Sequence, residues 1–65
     1  MVLRVNGEEL KTDAKSIEAL IKELGIENQV MAAAVNLSVV KKEDWKTYEL
    51  KEDDSVEFLR FVGGG

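Results

Sequence analysis

A single amphipathic helical segment near the middle of the first half most constrains the fold of this chain. Ile17, Leu20, Ile21 and Leu24 recur at the i, i+3, i+4 and i+7 spacing that forms one apolar stripe on a helix. Ser16 stands where an N-cap hydroxyl is needed, and Gly25 stands where a helix can end in the left-handed conformation. A chain of 65 residues offers this stripe no second helix of similar quality. The stripe is therefore expected to pack against a sheet formed by the rest of the chain.

Strand patterns occur on both sides of the helix. Met1–Val5 and Glu8–Thr12 flank Asn6-Gly7, the pair favoured in a type I′ hairpin turn because both central residues need positive φ. The run Val30–Val35 is interpreted as a buried central strand that is apolar on both faces. Val39-Val40 begins a further strand, Tyr48–Leu50 is a candidate short strand, and Ser55–Val62 is the last strand. Trp45, alone in a polar loop, is expected to plug the edge of the core.

These elements predict an α+β fold in which a mixed sheet of four to five strands packs on one helix. Placing the two end strands side by side in the sheet centre gives a β-grasp, or ubiquitin-like, arrangement. We expect one β-grasp domain at 1–62, followed by a flexible glycine tail at 63–65.

Composition removes most catalytic chemistry from the chain. It has no cysteine and no histidine, so it lacks thiolate nucleophiles, the commonest metal ligands and the commonest general base. The adjacent acids Glu52, Asp53 and Asp54 are more simply a solvated turn than a metal site. The net charge of −4 disfavours nucleic-acid binding, and no apolar run is long enough to span a bilayer. We therefore expect a cytoplasmic protein that is not an enzyme, binds no cofactor or metal itself, and has neither nucleic-acid nor membrane partners.

The chain ends in three glycines, Gly63, Gly64 and Gly65, directly after the last strand. One interpretation is an inert, frayed terminus. The other is that the terminal carboxylate is the reactive group, carried on a segment without Cβ atoms that can enter a narrow enzyme cleft. The absence of other chemistry in the chain favours the second interpretation.

In these features the chain resembles the ThiS family, the ubiquitin-like sulfur carriers of the thiamine pathway. The resemblance covers essentially the whole chain and rests on the hairpin Val5–Glu8, the helix Ser16–Gly25, the strand Ala33–Asn36, Val39-Val40 with Trp45, Leu50 with the acidic turn, Val56-Glu57, and the ending Phe61–Gly65. The chain departs from the family pattern in three turns, at Asn36-Leu37, Lys41-Lys42 and Glu52–Asp54.

The resemblance implies that a ThiF-type adenylating enzyme, using ATP and magnesium, activates the Gly65 carboxylate. Sulfur from a cysteine desulfurase or rhodanese-type donor then gives a thiocarboxylate, which a ThiG-type thiazole synthase consumes. In this scheme Gly63 and Gly64 lie in the partner's site. Leu59, Phe61 and Val62 are the candidate docking residues, because strand alternation places Val56 and Phe58 inward.

Three alternatives remain open from the sequence alone. The first is a molybdopterin-synthase small subunit, although that family usually carries a proline pair before its final glycines and this chain has no proline. The second is a ubiquitin-like modifier that is joined to lysines through the same carboxylate. The third is an interaction domain with an inert tail.

Overall fold

The computed structural model describes residues 1–61. It contains five strands, one α-helix and one short 3₁₀ helix. Their bounds are β1 Val2–Val5, β2 Glu8–Lys11, α1 Ile17–Leu24, β3 Val30–Val35, β4 Ser38–Val40, the 3₁₀ helix Lys42–Asp44 and β5 Ser55–Arg60. Within the described residues, no helix is long and apolar enough to cross a bilayer.

The five strands form one mixed sheet in the order β2-β1-β5-β3-β4. β1 and β5, the first and last strands, are parallel neighbours, whereas the other adjacent pairs are antiparallel. The predicted pairing of the end strands at the sheet centre is confirmed, and with it the β-grasp arrangement of one helix on a mixed sheet. β5, which leads to the C-terminus, is therefore held by a strand on each side.

The opening hairpin forms where the Asn-Gly pair predicts it. Asn6 and Gly7 have φ of 50° and 85°, the positive values that the turn requires. Asn6 also extends the contact between β1 and β5, because its backbone N–H donates to the Val56 carbonyl and its side-chain oxygen accepts from the Phe58 N–H at 2.8 Å. The turn thus supports the central strand as well as reversing the chain.

The helix begins and ends at the residues expected from local capping. The Ser16 hydroxyl accepts from the Ala19 N–H at 3.1 Å, and Gly25 has a φ of 68°. Three members of the apolar stripe are buried and Leu24 lies at its edge, partly exposed. The core between helix and sheet consists of Leu3, Ala14, Ile17, Leu20, Ile21, Ile26, Ala33, Val35, Val40, Trp45, Leu50, Val56 and Phe58.

Trp45 closes one edge of this core, as predicted. Its ring is 7% exposed, and its indole N–H donates to the Val40 carbonyl at 2.8 Å. That hydrogen bond satisfies the one polar group of a side chain that otherwise contributes apolar area.

Two expectations about strands were wrong. β3 is buried on one face only, because Ala33 and Val35 point to the core while Met31 is 61% exposed and Ala32 and Ala34 are half-buried. The short strand expected at Tyr48–Leu50 is reduced to a single bridge between Ser16 and Glu49. The helix packs on one face of the five-stranded sheet, and within residues 1–61 no second layer covers the other face of β3.

Candidate docking surface at the root of the C-terminal tail

The side chains of β5 alternate between the two faces of the sheet, as the sequence predicts. Val56 and Phe58 are buried against the core, whereas Glu57 and Leu59 point away from it. Leu59 is 62% exposed, and Phe61, directly after the strand, is 63% exposed. Two large apolar side chains therefore face outward on the segment that leads to the terminal glycines.

A β-bulge adds a third apolar side chain to this region. Val30 pairs with Arg60, but Ala32 pairs with Leu59, so β3 advances by two residues while β5 advances by one. Met31 is the extra residue, and it is as exposed as Leu59. A bulge of this kind changes the direction of side chains at the end of a ladder. Here it leaves Met31 outside the core, beside the last residue pairs between β3 and β5.

Small residues behind these side chains leave a shallow depression on the outer face of the sheet. Ala32 pairs with Leu59, and Ala34 pairs with Glu57 on one side and Val39 on the other. The depression has a volume of about 280 Å³ and is largely apolar. We call the outward-facing set Met31, Ala32, Ala34, Val39, Glu57, Leu59 and Phe61 the open face.

Sequence reasoning named Leu59 and Phe61 but missed Met31 and Val39. The alternation in β5 is legible because Glu57 separates Val56 from Phe58. In β3 no polar residue marks the outward positions, so the sequence contains no local signal that Met31 is exposed. The exposure of Val39 could have been inferred from the sequence, because this residue follows the polar turn that contains Ser38 and precedes Val40, which points to the core.

The acidic turn is engaged in backbone contacts rather than arranged as a metal site. A Glu52 carboxylate oxygen accepts from the Val2 N–H at 3.0 Å, and Asp54 accepts from the Lys51 N–H at 2.8 Å and from the Asn36 side-chain amide at 2.9 Å. Across residues 1–61, no group of three acidic side chains is placed to hold a metal ion. These carboxylates tie the turn before β5 to β1 and to the β3–β4 turn.

The remaining candidate residues, Val62, Gly63, Gly64 and Gly65, lie outside the described residues. Their roles, and the domain boundary after Val62, stay predictions. The last described residue, Phe61, directly follows β5 and belongs to the open face.

Comparison with known proteins decides the family. The model of the ThiS family matches residues 3–65, nearly the whole chain and including the terminal glycines. The chain belongs to the ThiS family. Among solved structures, the crystal structure of the thiamine biosynthesis protein ThiS from Geobacter metallireducens superposes with a TM-score of 0.81 at 31% identity, covering all of both chains. The β-grasp fold of the ThiS family and the sheet order described above therefore agree.

Curated relatives of this ThiS-family chain fall into two kinds. The sulfur carrier protein ThiS from Bacillus subtilis is 32% identical over 66 residues, which cover 98% of this chain and 100% of that protein. A thiazole synthase from Paramagnetospirillum magneticum is 36% identical over 66 residues, which cover all of this chain but 20% of that protein. The chain thus spans the whole of one relative and about a fifth of the other.

Proposed function

We propose that this chain is a sulfur carrier of thiamine biosynthesis, and that its Gly65 carboxylate is the group that carries the sulfur. The observation that carries the proposal is the family match over residues 3–65, which extends through the last glycine. The full-length relative named as a sulfur carrier protein supports the same conclusion.

The chemistry starts from a carboxylate, which is a poor electrophile until it has a good leaving group. A carboxylate oxygen of Gly65 attacks the α-phosphorus of ATP held with magnesium in a ThiF-type partner, and pyrophosphate leaves. A nucleophilic sulfur then attacks the carbonyl carbon of the acyl-adenylate, and AMP leaves with the bonding electron pair. When the sulfur arrives as a persulfide from a cysteine desulfurase or rhodanese-type donor, a thiol must cleave the remaining S–S bond to release the thiocarboxylate.

The chain itself contributes a terminus and a surface, because it has no cysteine or histidine to contribute to catalysis. The residues without Cβ, Gly63 to Gly65, suit a narrow cleft in the partner. Fixing their backbones costs about 3–6 kcal/mol at roughly 1–2 kcal/mol per residue. Contacts elsewhere on the carrier must offset this cost.

The open face is our candidate for those contacts. Leu59 and Phe61 are exposed at the root of the tail, Met31 lies beside them, and Val62 follows directly. Burial of one such side chain in a partner contributes about 1.5–3 kcal/mol. Two of them are sufficient to offset the ordering of the glycines.

A ThiG-type thiazole synthase is the proposed recipient of the sulfur. The support comes from two proteins named thiazole synthase, from Paramagnetospirillum magneticum and Magnetococcus marinus, in which a segment similar to this entire chain makes up about a fifth of the polypeptide. A carrier-like segment in the same polypeptide as a synthase is held at high effective concentration near that enzyme. The requirement for ATP and reduced sulfur fits a cytoplasmic setting.

Activation can be tested without any sulfur donor. With a ThiF-type enzyme, ATP and magnesium, the chain should support exchange of labelled pyrophosphate into ATP, because formation of the acyl-adenylate is reversible. A chain that lacks Gly65 is the matched control and should support none. Equal exchange with both chains, or none with an enzyme that activates its own carrier, would contradict the proposal.

A further inference from the structure

Gln29 forms hydrogen bonds with both of the last two described residues, Arg60 and Phe61. The Phe61 N–H donates to the Gln29 carbonyl at 2.6 Å, and the Arg60 guanidinium donates from Nη2 to the Gln29 side-chain oxygen. Gln29 therefore contacts the root of the tail through its backbone and its side chain. We call these two contacts the Gln29 clamp.

The bulge at Met31 creates the clamp. If the ladder continued from the Ala32–Leu59 pair without the extra residue, position 29 would lie opposite position 62. The register shift instead pairs Val30 with Arg60 and brings Gln29 opposite Phe61. The irregularity in β3 thus makes Gln29, rather than Val30, the residue opposite Phe61.

Gln29 is itself anchored to the core. Its backbone N–H donates to the Ile26 carbonyl at 2.9 Å, and the Ile26 N–H donates to the Ile21 carbonyl at 3.2 Å at the end of the helix. Ile21 and Ile26 are buried. The clamp therefore links the root of the tail to the helix through one turn of backbone.

We propose that Gln29 is a positioning residue that fixes where the tail leaves the folded body; this inference rests on the proposed function. With the clamp closed, four residues follow Phe61, and covalent geometry limits their reach to about 13–14 Å. Without the clamp, the Val30–Arg60 pair is the last fixed point, five residues follow, and the limit rises to about 16–18 Å. A longer free segment lowers the effective concentration of the Gly65 carboxylate at the nucleotide.

This role predicts a separation between kcat and KM. Docking of the body through the open face sets KM, whereas delivery of the carboxylate after docking sets kcat. Gln29→Ala removes the side-chain contact with Arg60 and keeps the backbone carbonyl. We expect kcat for adenylation to fall roughly two- to tenfold, the range for loss of one ordinary hydrogen bond, with KM and the urea midpoint unchanged.

The experiment compares Gln29→Ala with two controls in the full chain. Gln29→Glu keeps an acceptor for Arg60 and should behave as the unaltered chain, and Asn28→Ala changes the neighbouring exposed residue and should do the same. Alongside kinetics with the ThiF-type enzyme, NMR hydrogen exchange of the Phe61 amide reports on the clamp in the isolated carrier. Exchange should accelerate in Gln29→Ala only.

Unchanged Phe61 exchange and unchanged kcat in Gln29→Ala would overturn the positioning role. A rise in KM at constant kcat would also overturn it, because that result would mean that Gln29 contacts the partner. Failure of the proposed function is distinguishable, since the unaltered chain would then show no turnover whatever its Phe61 exchange, and the positioning role would fall with it.

Discussion

At the residue scale, the β3–β4 turn shows how the fold tolerates an unfavourable residue. Asn36 and Leu37 have φ of 51° and 72°, the left-handed pair that suits Asn-Gly. The sequence departs from the family pattern here, and that departure left the loop shape open. The turn keeps this left-handed geometry although Leu37 stands where the Asn-Gly pattern has glycine. The Asn36 side chain, which accepts from the Ser55 N–H at 3.0 Å and donates to Asp54, helps to hold it.

Leu37→Gly should therefore stabilise the protein. The left-handed conformation costs a non-glycine residue about 1–2 kcal/mol, and Leu37 is 88% exposed, so little burial is lost. Part of this stabilisation is lost, because glycine increases the conformational entropy of the unfolded chain. We expect a net increase of about 0.5–1 kcal/mol in the free energy of unfolding, measured by urea denaturation. Leu37→Ala, which keeps the strain, should show no gain, and a Leu37→Gly variant no more stable than the unaltered chain would refute this account.

At the element scale, the sequence predicted those parts of the fold whose signals are local. The helix was predicted with its caps because Ser16, the apolar stripe and Gly25 each act within a few residues. The hairpin followed from Asn6-Gly7 in the same way. The predicted burial of β3 on both faces was wrong for two reasons. Its alanines do not distinguish the inward from the outward positions, and the bulge at Met31 depends on pairing with β5, almost thirty residues further on. The outward side of β5 could be predicted, but its partner residues on the open face could not.

The two faces of β5 give a sharp test of docking. Leu59→Asp should leave folding unchanged, because substitutions at exposed positions usually alter stability by less than about 0.5 kcal/mol. It should lower kcat/KM for adenylation roughly 10- to 100-fold, since it removes apolar burial of about 1.5–3 kcal/mol in the partner. Circular dichroism and pyrophosphate exchange measure the two effects.

Its matched control is Phe58→Asp, one residue earlier on the buried face. That variant should unfold, because it places a carboxylate in the core. Normal kcat/KM for a folded Leu59→Asp chain would remove Leu59 from the interface, and unfolding of that variant would mean that its side chain belongs to the core.

At the scale of the whole molecule, the central position of β5 is the feature that matters most for the proposed function. Helix and sheet form one small core, and the strand that leads to the C-terminus lies at the centre of the sheet between β1 and β3. The Gln29 clamp lies at the end of that strand, and the open face extends along its outer side onto β3 and β4. Under the proposed function, a chain without cysteine or histidine takes part in sulfur chemistry because it supplies the carboxylate and its partners supply the reactive side chains.

Intact mass spectrometry tests this central claim most directly. The chain is incubated with ATP, magnesium, a ThiF-type enzyme, a sulfur donor and a thiol reductant, and the same mixture is prepared with a chain that lacks Gly65. We predict a mass increase equal to replacement of one oxygen by sulfur in the complete chain alone, reversed when a ThiG-type thiazole synthase and its substrates are added. No increase, with enzymes that convert their own carrier in parallel, or an equal increase without Gly65, would contradict the account.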